Sequence, residues 1–436
     1  MCIRDRYEHV LRASWPIAEA PGVARLGELH TQRYFSVPGY EPVEAVPLAA
    51  RGGAPNAFAA LEAGGPVRVA YFGGGIHPAS GWRADVMAAL AERYPDAEIS
   101  EINASITDAT RGIGFSVYRF RHDVLAQAPD LVLVDFVSGD HGRDMVSIMR
   151  AAEGIVRQAR AEAPDTDLVF LYAYHPGQQE AYDEGICPGE VAGYEKVAAH
   201  YGVPSINMGY RIAEMVRAGE MLAAPAPEAG EDVPVFSQSG RPPTEAASEV
   251  YAAAIIDGLD QFAQAEGEVQ EVSRPLRRDH LEHARLVAVT AEMVEGDWER
   301  SGSELGGADF SRHFDDLWVT RTPGARLSFS FRGTDASLFT LIGPDHGRVR
   351  ITLDGEEAGI QGRADRWCHY HRLSATSLAS GLEDGEHTVT VELLAEPPNR
   401  SEPIEEAKRL GRYDPAAFEG VALYVGWLRI VGEAID

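Results

Sequence analysis

The chain has 436 residues, 45% of them hydrophobic, with 67 acidic against 39 basic side chains and a formal net charge of −28. That length exceeds one ordinary domain, so two domains plus connecting segments are expected. The charge argues against nucleic-acid and anionic-membrane surfaces, and no run approaches the roughly 18 consecutive apolar residues of a membrane span.

Residues 1–65 are rich in Pro, Gly and Ala and read as an extended lead-in with one short helix near Asn56 to Glu62. The start has no apolar signal core, so a cytoplasmic address is the default expectation, although Met1 to Arg6 reads as unrelated to the rest of the chain. From Val67 the pattern becomes regular. "VRVAYFGG" (67–74) predicts a buried strand, "RADVMAALAERYP" (83–95) an amphipathic helix and "AEISEINA" (97–104) a second strand. A helix over 117–129, a strand over 130–137, a helix over 144–164 and a strand over 167–174 come next. A helix over 189–202, a strand over 203–209 and a last helix over 245–265 close the unit. Strands apolar on both faces, alternating with helices, imply a parallel sheet covered on both sides. A three-layer, flavodoxin-like α/β domain is therefore expected over 66–266, with its site where the loops after Phe72, Asn103, Val137 and Tyr174 converge.

Residues 267–295 read as a charged connector. Beyond it, alternating runs such as "ARLSFSFRG", "GRVRITLDG" and "EHTVTVELL", separated by turns at Asp354-Gly355 and Asp384-Gly385, predict an antiparallel, jelly-roll-like β-sandwich over 296–436.

The loop candidates for chemistry are Gly74, His77, Ser80, Asp108, Ser138, Asp140, His141 and His175. Imidazoles beside carboxylates suit acid–base work or a divalent metal, but no metal-type spacing supports the latter, and neither metal nor cofactor is expected. Ser80 and Ser138 lack a sequence-signalled base, so each reads first as a cap or loop hydroxyl. In the β-region "DRWCHYHR" offers Trp367, Tyr370 and Arg372 as sugar contacts, because aromatic faces stack on sugar rings. Against that, Trp and Tyr are ordinary sandwich core. Cys368 reads as a small buried hydrophobe, and Asp345-His346-Gly347 as a turn.

The blocks "VRVAYFGGGI…GWR", "INASITDATRGIG", "VYRFRHDVLAQAPDLVLVDFVSGD", "YEKVAAHYGVPSINM" and "FSQSGRPPTEAASEVYA" resemble, in order and context, those of SGNH (GDSL-type) hydrolases, most of all the carbohydrate-esterase-like group with an appended β-sandwich. The resemblance spans about 55 to 435. It implies a serine nucleophile in a Gly-Gly-Ser-Ile-Thr-like turn, a glycine and an asparagine completing an oxyanion hole, and a terminal Asp-x-x-His. This chain departs at each position. Gly75 stands for the serine, Thr107 or Asp108 for the glycine, Gly139 for the asparagine, and Ser239-Gly240-Arg241-Pro242 for Asp-x-x-His. A serine hydroxyl without a positioned imidazole is a poor nucleophile, and a carboxylate at Asp108 would oppose an oxyanion. The resemblance with these departures implies a non-catalytic relative that binds a carbohydrate or acylated carbohydrate. The alternative is an esterase working through relocated residues, and a plain interaction module is the third reading.

Overall fold

The near-continuous apolar runs become the middle of a six-stranded sheet. Its strands are β1 (Leu48–Ala49), β2 (Pro66–Gly73), β3 (Glu98–Asn103), β4 (Leu131–Asp135), β5 (Asp167–Leu171) and β6 (Ser205–Ile206). The structure, a computed structural model, describes residues 41–74, 81–106, 112–226, 233–240, 242–265 and 274–435. Ala45–Asp436 form one unit, separate from Met1–Glu44. The order across the sheet is β1-β6-β5-β4-β2-β3, with β2 to β6 parallel and β1 antiparallel at one edge. This is the flavodoxin-like order, and it reverses direction between β2 and β4. Every residue of β4 and β5 is buried, which accounts for their unbroken apolar character.

Helices α1 (Pro55–Ala63), α2 (Trp82–Arg93), α3 (Met145–Glu162), α4 (Gly189–Tyr201), α5 (Met208–Ala218) and α6 (Glu245–Phe262) are the longer ones around this sheet. Asp144 caps α3 by accepting from Ser147 N (2.8 Å), and Thr244 caps α6 through Ala247 N (3.4 Å). Two expectations need correction. The helix over 117–129 is instead a chain of short turns, Val117–Arg119, Phe120–Asp123 and Leu125–Gln127. It breaks because Val124 leaves helical geometry and Ala128 adopts a left-handed φ of 49°. The strand over 203–209 shrinks to two residues, since Asn207 accepts from Tyr210 N (3.0 Å) and starts α5, a helix the periodicity did not reveal.

The second half is an antiparallel sheet system. Its principal strands are β7 (Ala284–Ala288), β8 (Leu317–Thr320), β9 (Arg326–Ile342), β10 (Val349–Leu353), β11 (Glu356–Gln361), β12 (Arg372–Ala379), β13 (Gly385–Leu393) and β14 (Leu423–Ile435). The expected run 325–333 fuses with the alternating run that follows it, 336–343, into the single strand β9. Gly333 makes the fusion possible. It lies opposite Gly432 of β14, where the register shifts. A Cβ on Gly432, whose φ is 141°, would sit 2.0 Å from the Arg332 carbonyl oxygen, so only glycine lets the two bent strands approach this closely. Leu327, Phe331, Leu338, Val389, Val391 and Val425 anchor the core between the layers.

The connector is tied down by a buried carboxylate. Glu153 of α3 is fully buried and accepts from Tyr201 Oη (2.7 Å), Leu276 N (2.6 Å) and Arg277 N (3.0 Å). Beside it, Gly154 leaves space for the Leu281 backbone, 2.7 Å from where a Cβ would stand. Glu153→Ala strips three donors of their acceptor and is expected to cost about 2–4 kcal/mol. Differential scanning calorimetry checks it, and an unchanged melting temperature would count against the anchoring role.

The two sheet systems also touch directly. Arg429 of β14 is buried with its guanidinium over Tyr118 (4.1 Å) and Phe115 (4.7 Å), and Phe115 meets Phe339 edge-on at 5.1 Å.

Candidate functional site

The carboxyl ends of the parallel strands converge as the topology requires. Gly74, just past β2, donates its amide to the Asp135 carbonyl at the end of β4 (2.9 Å). Gly75, His77, Ser80 and Asp108 lie outside the described residues, so their place at this edge stays an expectation.

Past β4 the chain turns through a short helix, Val137–Asp140, that is wholly buried. Ser138 and Gly139 sit inside it, and the Gly139 carbonyl accepts from Arg143 Nε (3.3 Å). Asp140 points away from solvent. It accepts from Tyr194 Oη (2.6 Å) and from Ile113 N (3.2 Å), with Arg143 Nε 3.4 Å away. Burial pushes its carboxyl pKa up to about 6, and the hydrogen bonds from Tyr194 and Ile113 hold it from rising further. Asp135 is also buried. Desolvation lifts its pKa to about 7 against the backbone amides of Val137 and Ala173 that favour the charged form.

His141 and His175, predicted to converge, are stacked with ring centroids 3.7 Å apart. Their partners differ. His175 Nδ1 accepts from Gly177 N (3.0 Å). His141 Nδ1 faces Glu190 Oε1 at 2.9 Å, while its buried Nε2 has no hydrogen-bond partner among the described residues. A carboxylate only accepts, so Nδ1 carries the hydrogen, and in the neutral tautomer the lone pair is at Nε2. Glu190, almost fully buried, also accepts from Gln178 Nε2 (2.8 Å). Burial alone would raise its pKa, but the bonds from His141 and Gln178 outweigh that and bring it below the ordinary glutamate value. An imidazole oriented by a buried carboxylate is the arrangement that makes a base.

Sequence reasoning found His141 and His175 and missed Glu190, Gln178 and Tyr194. One signal was present. Glu190 and Tyr194 are four residues apart at the start of α4, hence on one face, and a buried charged residue there needs a partner.

The segment matched to Asp-x-x-His lies just before α6. Ser237 is buried, and its hydroxyl accepts from Ser239 N (3.3 Å) and Gly240 N (3.0 Å). Ser239 and Pro242 are exposed. Tyr251 of α6 reaches the end of β5, where its hydroxyl accepts from Tyr174 N (2.7 Å).

In the β-region, Trp367 and Tyr370 are exposed by 44% and 48%, unlike core aromatics, and Arg366 lies over the Trp367 ring at 4.5 Å. Arg372 is committed to Asp365 Oδ2 (2.5 Å). Cys368 is buried. Asp345 does more than shape a turn, since it accepts from Tyr424 Oη (2.5 Å) and pairs with His371 Nε2 (2.9 Å). Among the described residues no group of His, Cys, Asp and Glu has the arrangement of a metal site, and no helix is long and apolar enough to cross a membrane.

No protein-family model matches the chain, and no curated protein matches it. Solved structures do. A two-domain esterase active on acetylated mannans, co-crystallised with mannopentaose, aligns with a TM-score of 0.66 at 18% identity, over 89% of this chain and 97% of that one. A further structure of a two-domain esterase active on acetylated mannans gives a TM-score of 0.64 at 18% identity, over 89% of this chain and 100% of that one. The fold, a parallel α/β sheet followed by an antiparallel β-domain, is thus that of a two-domain esterase.

Proposed function

We propose that this chain is a carbohydrate-esterase-like protein that binds an acylated carbohydrate at the carboxyl edge of its parallel sheet without the serine chemistry of the SGNH hydrolases. The observation that carries this reading is the segment before α6. Where that chemistry needs a carboxylate and an imidazole, Ser237 only braces the backbone of Ser239 and Gly240, and Pro242 has no side-chain proton to move. Gly139 offers no side-chain donor to an oxyanion. The ligand class follows from the shared fold with an esterase active on acetylated mannans and from the exposed faces of Trp367 and Tyr370.

One observation favours a second reading, ester hydrolysis by relocated residues. His141, oriented by Glu190, has an Nε2 with no hydrogen-bond partner among the described residues, at the same edge of the sheet. It is the group that would take a proton from water or a hydroxyl.

The two readings separate in one experiment. Acetylated mannan and xylan are titrated against the purified chain by calorimetry, while acetate release is followed with wild type, His141→Ala and Glu190→Gln. Binding with acetate release no greater than in His141→Ala is the expected result. Saturable release that falls about a hundredfold in His141→Ala, the scale of a lost general base, would overturn the non-catalytic reading and establish the second.

A further inference from the structure

The bent strand β9 splits the β-domain. Along Arg326–Gly333 it pairs with β13, and along Ala336–Ile342 it pairs with β12, while β14 runs along its other side. β12 and β13 therefore leave the same edge of β9 one after the other and diverge. At the Thr340–Ile342 end of β9, walled by β12, the start of β10, the end of β11 and the start of β14, lies a cavity of about 300 Å³. That is at the lower end of small-ligand pockets and matches one sugar ring better than a chain.

Its walls are partly polar. Ser374, Thr376 and Gln361 line it, and their side chains make no hydrogen bond among the described residues. Arg363 stands exposed at the rim with no ion pair or hydrogen bond from its guanidinium among the described residues. The far edge of β12 pairs with no strand among the described residues. His346 also lines the cavity and is 4% exposed. Its Nδ1 lies 2.6 Å from the Gly343 carbonyl, which only accepts, so Nδ1 carries the hydrogen. Nε2 has no hydrogen-bond partner among the described residues. The Arg363 carbonyl near the ring cannot donate to it. Burial lowers the pKa of this histidine, so the ring is neutral, and Nε2 is closed off beneath the cavity wall rather than open to it. Leu341, Val349 and Ala375 add apolar wall, as the C–H face of a sugar requires.

We propose that this cavity binds a single pyranose unit, with the Ser374 and Thr376 hydroxyls meeting ring hydroxyls and Arg363 donating to ring or hydroxyl oxygens. The β-domain thereby recognises the end of a glycan rather than its length. This deepens the carbohydrate reading above and rests on it.

The test uses the full chain. Methyl pyranosides of mannose, glucose, galactose and xylose, and linear oligosaccharides of the same sugars, are titrated by calorimetry and by saturation-transfer NMR. Wild type is compared with Arg363→Ala, an exposed change that leaves the fold alone, and with Ala375→Phe, which fills the cavity and is checked for folding by circular dichroism. At least one methyl pyranoside is expected to bind wild type. Affinity should fall about tenfold in Arg363→Ala, the worth of one good hydrogen-bonding group, and binding should vanish in folded Ala375→Phe. Oligosaccharide binding that both variants leave unchanged would overturn the cavity site while the carbohydrate reading stands. Affinity that climbs steadily with chain length would overturn end recognition. No saccharide or polysaccharide bound by wild type would bring down both readings.

Discussion

Gly112→Ala is expected to destabilise the α/β half by about 3 kcal/mol or more. Gly112 precedes the short helix Ile113–Ser116 in ordinary extended geometry, so the cost is one of space, not of φ. A Cβ there would stand 1.7 Å from Asp140 Oδ1 and 2.7 Å from its Cγ. Asp140 cannot step aside cheaply. It is fully buried, and its two oxygens serve Tyr194 and Ile113. Moving the carboxylate would break a buried, charge-assisted network, while leaving it in place would force the backbone at Gly112 outward. A double-mutant cycle with Asp140→Ala checks the cause, because residues in contact do not add. Urea denaturation of the four proteins should show the double variant clearly more stable than the sum of the single changes predicts. Strict additivity would mean that the two positions do not meet.

Asp135→Asn is expected to gain stability relative to wild type as pH rises. The Asp135 pKa lies near 7 in the folded chain against 3.8 for the free side chain. The folded state therefore holds this proton where the unfolded chain has released it. The favourable contribution is complete below about pH 4 and is lost as pH climbs through 7. Asparagine mimics the protonated form and has no such loss. Between pH 5 and 8.5 the difference in unfolding free energy should move toward the variant by about 2 kcal/mol. Asp167, pushed up to about 6 by burial, titrates in both proteins and cancels from the comparison, whereas the Asp140 charge helps to raise the Asp135 pKa, so those two carboxyls titrate as a coupled pair. Melting temperatures of the two proteins, measured across that range, are the readout. A constant gap would mean that Asp135 is ionised throughout.

Local patterning made much of the architecture legible. The runs at 67–74 and 130–137 have no room for a polar face, so they had to lie inside a parallel sheet, and β2 and β4 do. The alternating runs after 296 likewise had to pair with one face inward. Legibility failed where one residue's geometry decided matters. Ala128 ended a helical stretch that periodicity would have continued, and Asn207 began a helix inside an expected strand.

By itself, then, the order of residues determined most of the succession of strands and helices and the absence of a carboxylate or imidazole at 239–242, because these depend on neighbours along the chain. The tertiary structure alone decided the rest. Glu190 is 49 residues from His141, and only the start of α4, set against the loop after β4, makes them a pair. Asp135 and Asp140 are unremarkable carboxylates in sequence, and their raised pKa values come from layers closing over them and excluding water. The cavity of the β-domain belongs to no segment. It exists because β9, β10, β12 and β14, strands far apart along the chain, bring Leu341, Val349, Ser374 and Leu423 to one place.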